Sequence, residues 1–374
     1  MNVHERVYKT LSLQEPDRIP TFTQSIEPPF IERYDKEIGI NGEENLLIDM
    51  QVALELGYDS KWYHCGKIKV PEKLRPEIPK ELHHLIEGKI LNNNGQIHES
   101  DSKTGRWYVD GILKTPEILR EWISFIRTFS PAEPDYYKSI ANMWNEHIEK
   151  GILPIPTAGG INHIVTSSIG MDRLGYMVRK YPALVKDLIS AWVNITMEEH
   201  KCFFEQGIDI IFVCDDFAQK NRLMMSPSVF SEFFEPKYRL LAENAHKYGA
   251  KFIVHSDGDL KDAFPSLVKA GVDAAEPLEY EAGMRLKSLK EKWGDKICLI
   301  GNIPASDLIC LGTQDQVVNF VKQAILDAAD GGGLILGQGA NLLANSKVEN
   351  VQAMIKAIKK YGNYPIDKNL LKNY

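Results

Sequence analysis

Only five cysteines occur in the 374 residues, at positions 65, 202, 214, 298 and 310, and no two of them form a CxxC pair. Thiols this scattered argue against a disulfide framework and suit a reducing compartment. No apolar run is long enough to span a bilayer. The opening Met1-Asn2-Val3-His4-Glu5-Arg6 is polar and has no apolar core of the kind a signal peptide needs. Clustered lysine and arginine are also lacking: the charges are interleaved, with a net charge of −7, so nucleic acid is not an expected partner. Finally, no GxGxxG turn follows an early strand. The runs Gly331-Gly332-Gly333 and Gly337-Gln338-Gly339 lack the rest of that dinucleotide fingerprint. These absences leave a cytoplasmic chain with no membrane contact, and its 44% hydrophobic residues are enough for a large core.

What is present is alternation. Short apolar, β-branched runs predict eight strands, at residues 19–24, 61–65, 153–158, 208–214, 251–255, 273–278, 297–301 and 334–337. Amphipathic stretches predict helices at 182–206, 227–248, 260–270, 284–293, 313–329 and 347–361. Ser226 before Pro227 reads as an N-cap, Gly249 and Gly362 read as stops, and Pro236 should kink its helix. Strand–helix alternation at this count favours an α/β fold of the (β/α)8 TIM-barrel type, with residues 1–374 as one domain. Residues 89–113 break the rhythm. Asn92-Asn93-Asn94-Gly95 is a turn signal, and an inserted β-hairpin is expected there, followed by a helical connection over 130–150.

In such a barrel the C-terminal strand tips converge on one mouth. In chain order those tips offer Gln24, His64 and Cys65, Thr157, Asp215 and Asp216, His255 and Asp257, Glu276 and Glu279, Asn302, and Gln338. Asp215, Asp216 and His255 are the catalytic candidates, as acids and a base at strand ends. Gln24, His64, Thr157, Glu276, Glu279, Asn302 and Gln338 are the candidates for holding substrate. His255 and Asp257, two residues apart, point the same way if the strand continues, and no cysteine is near them in sequence. With a third carboxylate they could hold zinc or another divalent metal. Each of these groups has an ordinary structural counterpart. An aspartate can cap a helix, a histidine can be a satisfied core residue, and alternation turns only one of Asp215 and Asp216 toward the axis. Cys202 beside Phe203 reads as packing, and His83, His84 and His98 as solvated.

Several segments together resemble the uroporphyrinogen decarboxylase superfamily, and within it the branch of cobamide-dependent methyltransferases. They are Glu5-Arg6-Val7, Glu15-Pro16-Asp17-Arg18-Ile19-Pro20, Asp215-Asp216 with Ser226-Pro227, His255-x-x-Gly258, Gly301-Asn302-Ile303, and Gly337-x-Gly339 with Glu349-Asn350. The resemblance implies a (β/α)8 barrel and two departures from known chemistry. True decarboxylases grip their polycarboxylate with an arginine-rich segment after the first strand. Here residues 22–30 contain no arginine, and the next is Arg33. Thiol-methylating members hold zinc with a His-x-Cys strand end and a distant cysteine. Here Asp257 and Ala340 stand at those places. The resemblance therefore implies transfer of a methyl group between a small O- or N-methylated molecule and a corrinoid. No DxHxxG-type corrinoid motif is found in the sequence, so the corrinoid is expected on a separate partner protein. A decarboxylase acting on a substrate other than uroporphyrinogen is the alternative.

Overall fold

The computed structural model describes residues 1–40, 47–101 and 105–372. Eight strands pair in parallel in chain order: β1 Phe22–Thr23, β2 Ser60–His64, β3 Leu153–Thr157, β4 Ile210–Cys214, β5 Lys251–His255, β6 Ala274–Glu276, β7 Cys298–Ile303 and β8 Leu334–Gln338. First and last meet where Thr21 bridges Leu336, whose N–H donates to the Pro20 carbonyl at 3.0 Å. The sheet thus closes into a (β/α)8 barrel. The first strand is shorter than expected because Pro20 has no N–H to continue the ladder, and the neighbouring Ile19 N–H bonds to Gly362 instead.

Helices Pro182–Phe204, Phe264–Ala270, Leu286–Trp293, Gln314–Ala328 and Val348–Tyr361 fall inside the predicted stretches. The single kinked helix expected over 227–248 is instead two helices, Pro227–Phe233 and Glu235–His246. Pro236 lies in the first turn of the second, where a missing N–H is tolerated, so the break falls at Phe234. Ser226 caps the first by accepting the Val229 N–H.

Ile90–Leu91, Gln96–Asp101 and Gly105–Gly111 form a three-stranded antiparallel sheet in the segment that breaks the alternation, and residues 102–104 of that segment lie outside the described residues. This small sheet is tied to helix Asn162–Ile169. The Leu113 N–H donates to Ser168 at 2.9 Å, and the Gln96 amide donates to the Ser167 hydroxyl.

The two ends of the barrel are built differently. At the N-terminal end, Asp59 accepts two hydrogen bonds from Arg18, at 2.7 and 2.6 Å, and one from Arg6 at 3.0 Å. Arg6 also forks onto Asp17 at 2.7 Å through both Nε and Nη2. Asp59 further takes the N–H and hydroxyl of Thr21, each at 2.9 Å. This network ties the lead-in to β1 to the lead-in to β2, and a planar guanidinium fork suits such pairing. Toward the C-terminal end, Phe22, Trp62 and Phe212 fill the interior, with Phe212 6.0 Å from Phe22 and 5.7 Å from Trp62 between ring centroids. Among the described residues, no helix is long and apolar enough to cross a membrane.

Candidate functional site

Parallel register brings Cys214, His255 and Glu276 side by side at the tips of β4, β5 and β6. Phe212 and His255 face the interior together, their rings 6.1 Å apart, and Trp62 meets the imidazole edge-on at 5.4 Å. Period-two alternation from Phe212 carries Cys214 and then Asp216 to the axial side, and sends Asp215 the other way. The sequence left that choice open, and the structure resolves it.

His255 is buried, and its Nδ1 lies 2.6 Å from Glu276 Oε2. Glu276 is wholly buried, and its other oxygen takes the Gln24 amide at 2.8 Å. This fixes the imidazole from behind and leaves Nε2 facing the mouth. Asp216 Oδ1 lies 3.3 Å from Nε2, and Asp257 Oδ1 lies 3.7 Å from it. Asp216 also accepts the Asp257 N–H at 3.1 Å. Nε2 and one oxygen from each aspartate sit within 4.8 Å of one another, close enough to share a cation. A histidine whose far nitrogen donates to a carboxylate is a recurrent way of presenting a metal ligand. The donor set of one nitrogen and two oxygens fits zinc or another divalent ion.

Burial alone would depress the His255 imidazole. The charge of Glu276, the neighbouring Cys214 and the hydrogen bond to Asp216 outweigh burial and hold it well above its ordinary range. Burial would raise the Asp216 carboxyl, but the hydrogen bond and charge of His255 bring it below the usual carboxylate range. Asp257 is pushed up, first by burial and then by the negative charges of Asp216 and Glu276. No cysteine is near His255 in sequence, yet Cys214 reaches the imidazole across the sheet.

The glycine in the His255-x-x-Gly258 pattern has a physical reason. Gly258 has φ +92°, and a β-carbon there would sit 2.5 Å from the Gln219 carbonyl oxygen. Its N–H donates to Glu279 Oε2 at 2.8 Å, which holds Glu279 beside the turn. Glu279 is raised, first by burial and then by Asp257.

The other expected residues divide. His64 and Thr157 line a cleft of about 490 Å³ next to the cluster, together with Cys214. Asp215 turns outward, where it accepts the His163 N–H at 2.6 Å and the Tyr238 hydroxyl. It therefore anchors the start of helix Asn162–Ile169, and burial raises its carboxyl despite those hydrogen bonds. Asp215→Ala would leave the Tyr238 hydroxyl and helix N–H groups unpaired in a buried place. A loss of about 1–3 kcal/mol is expected from the urea unfolding midpoint; an unchanged midpoint with lost activity would move Asp215 into the reacting group. Asn302 is committed elsewhere, its amide donating to the Leu278 and Met284 carbonyls at 2.6 and 2.7 Å. Gln338 donates to Thr23 at 2.6 Å and accepts from the Tyr58 hydroxyl at 2.8 Å.

One acid escaped the strand-tip reasoning because it lies on a helix. Glu199, on Pro182–Phe204, lines the same cleft and is wholly buried. Its Oε1 accepts the Lys67 N–H, and Oε2 has no partner among the described residues. Burial pushes it up to about 7. The signal was legible: Trp192, Thr196, Glu199 and Phe203 recur at helical spacing on the buried face, and a carboxylate has no ordinary place there.

Residues 130–361 match the family described as Uroporphyrinogen decarboxylase (URO-D). A methylated-thiol–coenzyme M methyltransferase of Methanosarcina mazei is 23% identical over 214 residues, which cover 56% of this chain and 54% of that protein. A methylcobamide:CoM methyltransferase, MtaA, of Methanosarcina barkeri (strain Fusaro) is 22% identical over 211 residues, 55% of this chain and 59% of that protein. The chain thus spans a little over half the length of these relatives. Among solved structures, a methyltransferase from Methanosarcina mazei shares the fold, with a TM-score of 0.66 at 16% identity over 96% of this chain and 99% of that one.

Proposed function

The chain belongs to the uroporphyrinogen decarboxylase family, and from that premise we propose that it is a methyltransferase, moving a methyl group between a small O- or N-methylated molecule and a corrinoid carried on a separate protein. The relatives above are methyltransferases by name, which supports the class. The observation that carries the reading is the Asp216–His255–Asp257 group, backed by Glu276 and opening beside a cleft.

Methyl transfer from oxygen or nitrogen needs a leaving heteroatom whose charge is neutralised, since a bare alkoxide leaves poorly. Glu276 holds Nδ1–H and aims Nε2 at the mouth. With His255 held protonated by its carboxylate neighbours, Nε2–H can donate to the leaving atom. Asp216 and Asp257 would join His255 in binding a divalent ion, which when present supplies the same stabilisation as a Lewis acid. A carboxylate, Asp257, and an alanine, Ala340, stand where the resemblance would put two sulfur ligands, so the site favours a hard ion and an oxygen or nitrogen leaving group over a coenzyme thiol. Uroporphyrinogen is a poor fit, because among the described residues no arginine or lysine lines the cleft, while a polycarboxylate demands several. Arg33, the nearest candidate in sequence, spends its guanidinium on the Ala344 and Ser346 carbonyls.

Incubated with cob(I)alamin and a panel of methyl ethers and methylamines, the protein is expected to form methylcobalamin, read by its absorbance. Release of carbon dioxide from a carboxylated substrate, with no methyl transfer to any acceptor, would replace this reading with decarboxylation.

A further inference from the structure

The cleft beside the cluster has an uncommon lining. Among the described residues, three that line it each carry a buried polar atom with no partner: Glu199 Oε2, Thr157 Oγ1 and Trp192 Nε1. Buried polar groups are ordinarily paired, and leaving one unpaired is costly. Unpaired groups gathered on one cavity point to a ligand, and the carboxylate among them calls for a positive charge. The rest of the lining says which kind. Ile68, Val70 and Ile164 are apolar, and Phe129 and Trp192 meet edge to face with ring centroids 5.8 Å apart. Among the described residues no lysine or arginine lines the cleft, so the Glu199 carboxyl has no counter-charge from its lining.

We propose that this cleft binds a small N-methylated ammonium compound, with Glu199 as its counter-ion and Trp192 and Phe129 as its aromatic wall. An ammonium bearing methyl groups presents a diffuse positive charge on an apolar surface. It therefore satisfies a buried carboxylate and aromatic faces together, and the aliphatic walls accept its methyl groups. A neutral ether of the same shape satisfies the walls and leaves Glu199 as it was. The volume of about 490 Å³ admits an organic cation of several carbons. This names the methyl donor within the function proposed above, and it rests on that reading for its biological meaning.

The groups facing Glu199 do not supply a proton or a cation of their own. Cys65 follows β2, and Tyr136 and Tyr137 face it from helix Pro134–Lys150; each is raised, first by burial and further by Glu199 itself. Cys202, on the same helix as Glu199, is raised likewise. Lys67 offers its backbone N–H, while its ammonium lies over the Tyr136 ring at 4.7 Å. His200 is neutral, burial having lowered it to about 4, and its Nε2 is taken by the Ala158 carbonyl at 3.0 Å. An arriving cation takes the place of the Glu199 proton, so affinity should rise with pH through the titration near 7.

The test is calorimetric and uses the purified protein alone. Choline and tetramethylammonium are the probes, and 3,3-dimethylbutan-1-ol is the uncharged isostere of choline. Choline is expected to bind saturably at pH 8, at least about tenfold more tightly than the isostere, and about tenfold more weakly at pH 6 as Glu199 takes up its proton. Glu199→Gln, whose fold is checked by circular dichroism, is expected to lose the preference for choline and the pH dependence while binding the isostere as before. Equal affinity for choline and its isostere would overturn the proposal, as would undiminished choline binding by Glu199→Gln or no saturable binding of either ammonium probe. No corrinoid is present in this measurement, so failure of methyl transfer to cobalamin and failure of ammonium binding are read separately.

Discussion

Glu199→Gln is expected to be more stable than the parent protein at pH 8 and indistinguishable from it at pH 4. The Glu199 carboxyl is raised from its ordinary 4.5 to about 7 by burial, against one backbone N–H. Between those values the folded state holds a proton that the unfolded chain releases. Stability therefore falls as pH rises through that window and stays low above it. The shift corresponds to about 3 kcal/mol at alkaline pH. Glutamine keeps the oxygen that accepts the Lys67 N–H and removes the charge, so its urea midpoint should not show this decline. Parallel pH profiles for the two proteins would mean that Glu199 is paired in solution and that its carboxyl is not the uncompensated group described above. The expected stabilisation is also an argument about function. A residue that weakens the fold at physiological pH, when a neutral isostere would not, is the pattern of a group retained for binding or chemistry.

The second large effect concerns His255. His255→Ala is expected to lower methyl transfer by about 10²–10⁴-fold, since it removes the proton donor or metal ligand that stabilises the leaving atom. Elemental analysis separates the two roles. Protein purified without chelator is expected to carry near-stoichiometric zinc or another divalent ion, and His255→Ala to carry none. Glu276→Gln should retain the fold and lose about 10–100-fold in metal affinity, because the carboxylate behind a ligating histidine sets its orientation and basicity. A metal-free parent protein with full activity would sink the metal assignment. It would leave His255 as an acid, one that stays protonated well above the ordinary imidazole range because Glu276, Cys214 and Asp216 overcome its burial.

Much of this was legible before any coordinates. Lys251–His255 has the bounds that its apolar run implied, since burial on both faces of a parallel strand leaves a continuous β-branched signature. The closed barrel brings the strand tips read from the sequence to one mouth. What sequence could not supply was parity and company. Asp215 and Asp216 differ by one position and part company at the sheet, one anchoring a helix and the other reaching His255. Cys214 is far from His255 along the chain and adjacent to it across the ladder. The amides of Asn302 and Gln338, expected to hold substrate, are engaged by backbone carbonyls and by Thr23 and Tyr58. Glu199 was invisible to a search along strand ends, and only the helical period of its buried neighbours betrays it.

The Arg6–Asp17–Arg18–Asp59 network, at the barrel end opposite the cluster, bears on how this scaffold can change. The joint between the first two strands is secured by Arg6, Asp17, Arg18 and Asp59, away from His255, Asp216 and Asp257. A thiolate can therefore be exchanged for a carboxylate at position 257, or the cleft relined around Glu199, without loosening that joint. Respecialisation toward a new substrate is then a local matter of strand ends and one helix face, and the two arginines keep the first staves of the vessel fastened while its contents are altered.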